Sequence, residues 1–293
     1  MSVFFTHSTH LDKEKWDELL SASSCASVFM ESWFIDCLTQ NNWHAYISVN
    51  DKSEQWQAAI PVFISSKMGN TFSRQPLLSK YWGVFSRDLD KVGAYQKSHF
   101  VKEQMALLLK KAGDVAIFDY FTSINPVYPA EYNWQNIALK PQFTYVINLA
   151  KGIDKVKEDY SKTVRKKINR LRKDGFENRI MPNSKDLEAV LNINIDSGKN
   201  VVPTKAIVPL MKISKEAQRT NKGFFLSTYA NNGDLAAAGF FLYSSGYTHF
   251  LSGYVKPEYR SKNAKNLLVD GALEHAEGHS NVFECFGSSI ESI

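Results

Sequence analysis

The chain has 293 residues, 44% of them hydrophobic and 13% aromatic, which is enough apolar material for one large domain or two ordinary ones and too much for a disordered chain. Its net charge of +5 is mildly basic and compatible with an anionic ligand. The three cysteines, Cys25, Cys37 and Cys285, have no ligand-like spacing, and no signal-peptide pattern or long apolar run is present, so neither a disulfide scaffold, a zinc site nor a membrane span is expected, and a reducing, cytoplasmic setting is.

In chain order, the VFF near the N-terminus reads as a short strand, and residues 12–21 and 31–40 as helices, the second with Trp33, Phe34, Cys37 and Leu38 at helical spacing. Residues 43–49 and 56–64 read as strands of a hairpin around NDKSEQ. An aromatic run follows at 81–85, then a helix at 95–112 with Phe100, Met105, Leu108 and Leu109 as its stripe, a strand at 115–121 and a Pro-bearing loop at 123–132. A boundary falls near 140–150. Beyond it come a strand at 143–149, one long helix at 153–173 stopped by Gly175, and helices at 186–197 and 205–220. Two strands, 224–230 and 235–243, flank the hairpin signal NNGD; a strand at 248–254, a helix at 264–278 and a last strand at 281–286 close the chain. The order strand, helices, hairpin, helix, strand occurs in each half, so a duplicated α+β unit is expected, divided as 1–142 and 143–293.

The segment YSKTVRKKINRLRKDG carries the densest charge. On a helical wheel Val156, Tyr160, Val164, Ile168 and Leu171 form an apolar stripe, Lys162, Lys166, Asn169 and Lys173 point away from it, Arg165 and Arg172 share one flank, and Lys167 and Arg170 the other. A solvated charged face, a clamp for a phosphorylated acceptor and a contact for tRNA all fit this pattern. The guanidinium fork suits phosphate, which singles out Arg165 and Arg172.

The stretch from Leu235 to Ala276 reads as two apolar strands, a short turn and a helix. Where that helix begins, unpaired backbone N–H groups and the helix dipole favour a phosphate. The turn, Arg260-Ser-Lys-Asn-Ala-Lys265, sits where an acyl-CoA N-acyltransferase carries its Q/R-x-x-G-x-G/A loop. Arg260 matches the first position, Asn263 replaces a glycine as a residue tolerant of left-handed backbone, Ala264 is small, and Lys265 departs from the final small residue. The strand before it, with Ser252 and Gly253, would supply N–H donors for an oxyanion. Candidate proton carriers are Glu284, His249 and Tyr254. No Ser-His-Asp pattern, H-E-x-x-H, P-loop or G-x-G-x-x-G is present.

Several motifs together resemble one family. T-Y-V-I-N-L followed by S-K-x-x-R-K-K-I-N-R-L-R-K-D-G, then G-F-F-L-Y, F-L-S-G-Y-x-x-P-E-Y-R and F-E-C-F-G-S-S-I-E-S-I, resembles the second domain of the Fem-type peptidyltransferases and the FemAB-like GNAT acyltransferases found in many bacteria. K-Y-W-G-V-F, residues 80–85, is similar to a first-domain stretch of the same family and brings Trp82 in as a substrate contact. The resemblance implies two GNAT-like units, each a mixed, mostly antiparallel sheet flanked by helices, with an acceptor cleft between or beside them. It also implies transfer of an acyl or aminoacyl group to an amine of a sugar, an amino acid or a phosphorylated cell-envelope precursor. Acyl-CoA is the expected donor, with aminoacyl-tRNA the alternative; neither a metal nor DNA is expected to take part. By motif position Arg165 and then Lys162 would contact the acceptor's phosphates. Against the tRNA donor stands the absence of a long coiled-coil insertion. The altered loop keeps open a non-catalytic binding protein on the same fold, and relatives usually run a further helix or strand past the position of Ile293, which implies a second domain cut short.

Overall fold

The computed structural model describes residues 1–89, 92–122, 129–140, 144–196 and 203–285. The expected strand and helix ends at Phe143, Ser197 and Phe286, and the first part of the Pro-bearing loop, lie outside them. The chain forms two units, Met1–Pro141 and Gln142–Ile293.

The first unit runs β1 (Ser2–His7), α1 (Lys13–Ser21), α2 (Ser32–Thr39), β2 (His44–Val49), β3 (Trp56–Val62), β4 (Ile64–Lys67), β5 (Asn70–Arg74), β6 (Phe85–Ser86), α3 (Ala94–Ala112), β7 (Ile117–Asp119) and α4 (Pro129–Trp134). Asp12 caps α1 by accepting the Lys15 N–H at 3.1 Å, and Trp16, Leu19 and Leu20 bury its inner face. The strands form one antiparallel sheet in the order β1-β2-β3-β6 and a smaller sheet β4-β5-β7. Two features differ from the sequence reading. Residues 64–74 form the β4–β5 hairpin, whose turn places Met68 and Gly69 at φ 52° and 77°, the left-handed pair that a tight hairpin needs. The loop expected to reach residue 132 gives way at Pro129 to α4, proline being well suited to a first helical turn.

The second unit runs β8 (Tyr145–Asn148), α5 (Ile153–Glu158), α6 (Lys162–Lys173), β9 (Glu177–Met181), α7 (Lys185–Asp196), α8 (Thr204–Arg219), β10 (Gly223–Tyr229), β11 (Leu235–Ser244), β12 (Tyr247–Val255), α9 (Pro257–Arg260), α10 (Ala264–Ala276) and β13 (Val282–Cys285). Its sheet has the order β8-β13-β12-β11-β10-β9, antiparallel except where β12 meets β13. Phe224, Phe241, Phe283 and Ala237 bury one sheet face against α6 and α10, and α7 and α8 pack on the other.

The long helix expected at 153–173 is two helices. Ser161 is extended, at ψ 149°, and its hydroxyl accepts the Val164 N–H at 3.2 Å, which starts α6 afresh. The apolar stripe survives the break: Val156, Ile168 and Leu171 are buried and Tyr160 and Val164 pack beside them. Strand β9, an edge strand absent from the sequence reading, has little apolar alternation, with Glu177, Arg179 and Ile180 exposed.

Candidate active site

Strand β12 fixes most of the site. Its pairing with β11 runs in step from Ser244↔Tyr247 to Phe241↔Phe250 and then slips, so that Phe240 faces Ser252 and Leu251 is an extra residue. A bulge shifts the side-chain alternation by one. Here it places Ser252 and Tyr254 on the same sheet face as His249, whereas strict alternation would oppose them. Glu284 joins them, since β13 pairs in register His249↔Glu284.

The four polar groups make two contacts on that face. His249 Nδ1 and Glu284 Oε2 are 2.6 Å apart, with side chains 4% and 0% exposed. Thr144 Oγ1 donates to the other Glu284 oxygen at 2.8 Å. The Ser252 hydroxyl donates to the Tyr254 oxygen at 2.7 Å. Burial raises the Tyr254 phenol above its ordinary value despite that hydrogen bond, so it keeps its proton at neutral pH. Among the described residues the β12–β13 ladder ends at Phe250↔Cys285, and β12 runs on to Val255 without a strand partner on that side.

On the opposite face lies the start of α10. Asn263 is left-handed, at φ 65° and ψ 37°, and its side chain makes no cap hydrogen bond to the helix. Asn263 Oδ1 instead accepts from Lys167 Nζ at 3.1 Å. Ala264 is fully buried, and Lys265 is exposed with its ammonium 5.5 Å from the Phe250 ring. The first turn of α10 carries no acidic residue. Gly253 also faces this side, where a Cβ would meet the Phe250 ring at 2.4 Å; its smallness serves packing within β12.

Arg260 gives its guanidinium to the Asn194 side-chain oxygen. Asn194 is buried on α7 and also donates to the carbonyl oxygens of Val190 and Val255, at 2.7 and 3.2 Å. Sequence reasoning passed over both Asn194 and Lys167. The wheel did place Lys167 on a flank of the α6 stripe, but the partner on that flank depends on how α10 docks.

Two of the expected substrate contacts have partners within the protein. Trp82 is fully buried, donates from its indole N–H to the Phe29 oxygen at 2.9 Å and meets the Tyr120 ring edge-on; it is a core residue of the first unit. Arg172 is committed to α10, with Asp270 at 2.6 Å and Glu274 at 3.0 Å, where it braces two helices. Lys162 and Arg165 are exposed and make no hydrogen bond or ion pair among the described residues.

No protein-family model and no curated protein matches the sequence. Solved structures do match. FemX superposes with a TM-score of 0.70 over all of this chain and 90% of its own, at 9% identity. L-PGS from Bacillus licheniformis gives 0.54 over 96% of this chain and 78% of its own, at 12% identity. A tandem GNAT protein from the clavulanic acid biosynthesis pathway gives 0.52 over 99% and 91%, at 10% identity. At these identities the likeness concerns the fold: the chain is an α+β protein of two GNAT-like units, with the fold of FemX.

Proposed function

We propose that this chain is an acyltransferase that moves an acyl group from an acyl thioester, acyl-CoA, to an amine of a sugar, an amino acid or a cell-envelope precursor. The observation that carries the reading is the bulge at Leu251. It gathers His249, Glu284, Ser252 and Tyr254 on one face, beside the stretch of β12 that runs on past its ladder with β13. On the other face, the start of α10 with Lys167 and Lys265 suits the donor's phosphates.

Chemically, the amine nitrogen bonds to the acyl carbon while the carbonyl electrons move onto oxygen, held by β12 backbone N–H groups. The amine's proton passes to the His249–Glu284 pair, where the carboxylate orients the ring and stabilises its charged form. A pair this buried exchanges protons through bound water. Collapse of the intermediate breaks the carbon–sulfur bond, and the leaving thiolate takes a proton from Tyr254. Arg165 and Lys162 remain contacts for a phosphorylated acceptor by resemblance.

A second reading, aminoacyl-tRNA as donor, is favoured by the likeness to FemX together with the outer cations of α6, which have no ion pair among the described residues. Calorimetric titration separates the two. Saturable binding of acetyl-CoA, weakened by Lys167→Ala, supports the thioester donor. Binding of tRNA that falls steeply between about 50 and 200 mM salt supports the other. Binding of neither donor removes both readings and leaves the non-catalytic protein.

A further inference from the structure

The first unit holds a pocket of about 50 Å³, room for roughly four water-sized groups. Its wall is apolar, formed by Met30, Val84, Val101 and Met105, and its polar lining includes Ser86, Asp88 and Tyr132.

Three observations distinguish it from a packing gap. First, Tyr132 is 4% exposed and its ring belongs to the core beneath α3, yet its hydroxyl makes no hydrogen bond to any described residue. A hydroxyl that opens on a pocket without a protein partner is available to a ligand's polar group. Gly83 keeps that side open, because even a Cβ there would stand 3.5 Å from the Tyr132 oxygen. Second, Tyr81, which lines the pocket, has φ 61°. The left-handed region is rare for an aromatic residue, and such strain concentrates at ligand clamps. Third, a carboxylate stands at the pocket's rim. Among the described lining residues the charged side chain is Asp88, at the exposed rim and with no ion-pair partner among the described residues; Lys80 is not in the lining but stands over the Tyr81 ring, its ammonium 5.9 Å from the centroid. The Asp88 backbone N–H donates to the Ala22 oxygen at 2.8 Å, which fixes the residue at the rim. The Cys25 thiol is pushed up by burial, so it adds no negative charge at neutral pH.

We propose that this pocket binds a primary ammonium group on a short apolar stem. An ammonium has three donors and no acceptor, and Asp88, Ser86 and the Tyr132 oxygen offer acceptors around one space. Met30 and Met105 form a soft wall for the stem. An anion would meet the Asp88 carboxylate, and a neutral alcohol would forgo a charge-assisted contact with it. The site lies within the first unit and is independent of the donor chemistry proposed for the second.

The test titrates the full chain with n-propylammonium, 1-propanol and propionate, read by calorimetry and by ligand-observed NMR. With four heavy atoms the ammonium is expected to bind saturably in the millimolar range, roughly 1–10 mM. Propanol and propionate should bind about tenfold more weakly or worse. Asp88→Asn should weaken propylammonium about tenfold or more, as loss of a charge-assisted contact does. Tyr132→Phe should weaken it several-fold while leaving the melting temperature of the free protein unchanged or higher. Equal affinity for propanol, no saturation below about 100 mM, or unchanged binding in Asp88→Asn overturns the proposal. So does a lowered melting temperature in Tyr132→Phe, because the hydroxyl would then have its partner within the protein.

Discussion

The pair Arg172–Asp270 is the sharpest test of how α6 is held. Asp270 is 2% exposed and Arg172 45% exposed, with Arg172 Nη2 at 2.6 Å from the carboxylate. Removing one partner of a fully buried pair costs about 3–5 kcal/mol. Here the arginine is nearly half in water, so screening discounts the figure. Asp270 also keeps the Tyr160 hydroxyl at 3.1 Å and the charge of Lys157. We therefore expect Arg172→Met to cost about 1–3 kcal/mol near pH 8, and Asp270→Asn, which removes the buried charge itself, to cost less than about 1 kcal/mol.

The pH dependence carries the reasoning further. Burial, with a smaller contribution from Glu274, holds the Asp270 carboxyl above its ordinary value, against Arg172, Lys157 and the Tyr160 hydrogen bond, which pull it down. For a group raised in the folded state, its contribution to stability is complete below the ordinary carboxylate value and is lost as pH rises through the folded value. Removing Arg172 raises the folded value further. The penalty of Arg172→Met must then be largest near pH 8 and shrink as the pH falls toward the ordinary carboxylate range. Because a chain of two units need not unfold in one step, the assay is hydrogen exchange of the α6 and α10 amides at two pH values, supported by urea unfolding. If Arg172→Met loses no more protection than Asp270→Asn at either pH, the contact is an ordinary surface ion pair and the reasoning fails.

Three further outcomes are expected. Asn263 sits at φ 65°, so Asn263→Gly should hold its melting temperature while Asn263→Ala loses about 1 kcal/mol, the cost of a left-handed residue with a Cβ; equal stability of the two would contradict the assigned backbone. Gly271→Ala would gain about 1 kcal/mol from helix propensity alone. A Cβ at Gly271, however, would lie 2.2 Å from Asn178 Nδ2 and 3.2 Å from its Cβ, and Asn178 is fastened to the Leu267 and Thr228 oxygens at 2.7 Å. A net loss of about 1–3 kcal/mol should therefore appear in denaturation. Glu284→Gln should lower kcat about 100-fold or more, with native circular dichroism and little change in KM, and Thr144→Val should lower it less; an unchanged kcat removes the pair from the mechanism.

Much of this fold was legible because local patterns agree with the tertiary environment. The NNGD turn gave β10 and β11, since Gly233 takes φ 82° and the Ala230 N–H donates to the Asp234 oxygen at 2.8 Å across the turn. The Asn263 reading rested on a backbone preference and was realised as such. The break before α6 was hidden because its apolar stripe keeps helical spacing through Tyr160 and Val164, while the cap at Ser161 is a single hydroxyl. The face shared by His249, Ser252, Tyr254 and Glu284 could not be read at all. Period-two alternation puts His249 opposite Ser252, and only the extra residue at Leu251 reverses that. A bulge is a property of the pairing between two strands, and nothing within residues 247–255 announces it.

The cations of α6 show where charge patterning stops being informative. Seven of its twelve residues are Lys or Arg and none is acidic. The wheel separated an outer face from two flanks, and geometry then decided their fates. The flank residues Lys167 and Arg172, next to the buried stripe, reach α10, one meeting Asn263 and the other Asp270 and Glu274. The outer residues Lys162 and Lys166, and Arg165 on the Arg172 flank a turn or more earlier, have no ion pair among the described residues. The guanidinium fork that singled out Arg172 for phosphate fits a carboxylate equally well, and Asp270 lies one helix away. A cation beside an apolar stripe is therefore first a candidate for bracing its neighbouring helix. On α6, Arg172 has two carboxylates within reach on α10, whereas Lys162, Arg165 and Lys166 have none among the described residues.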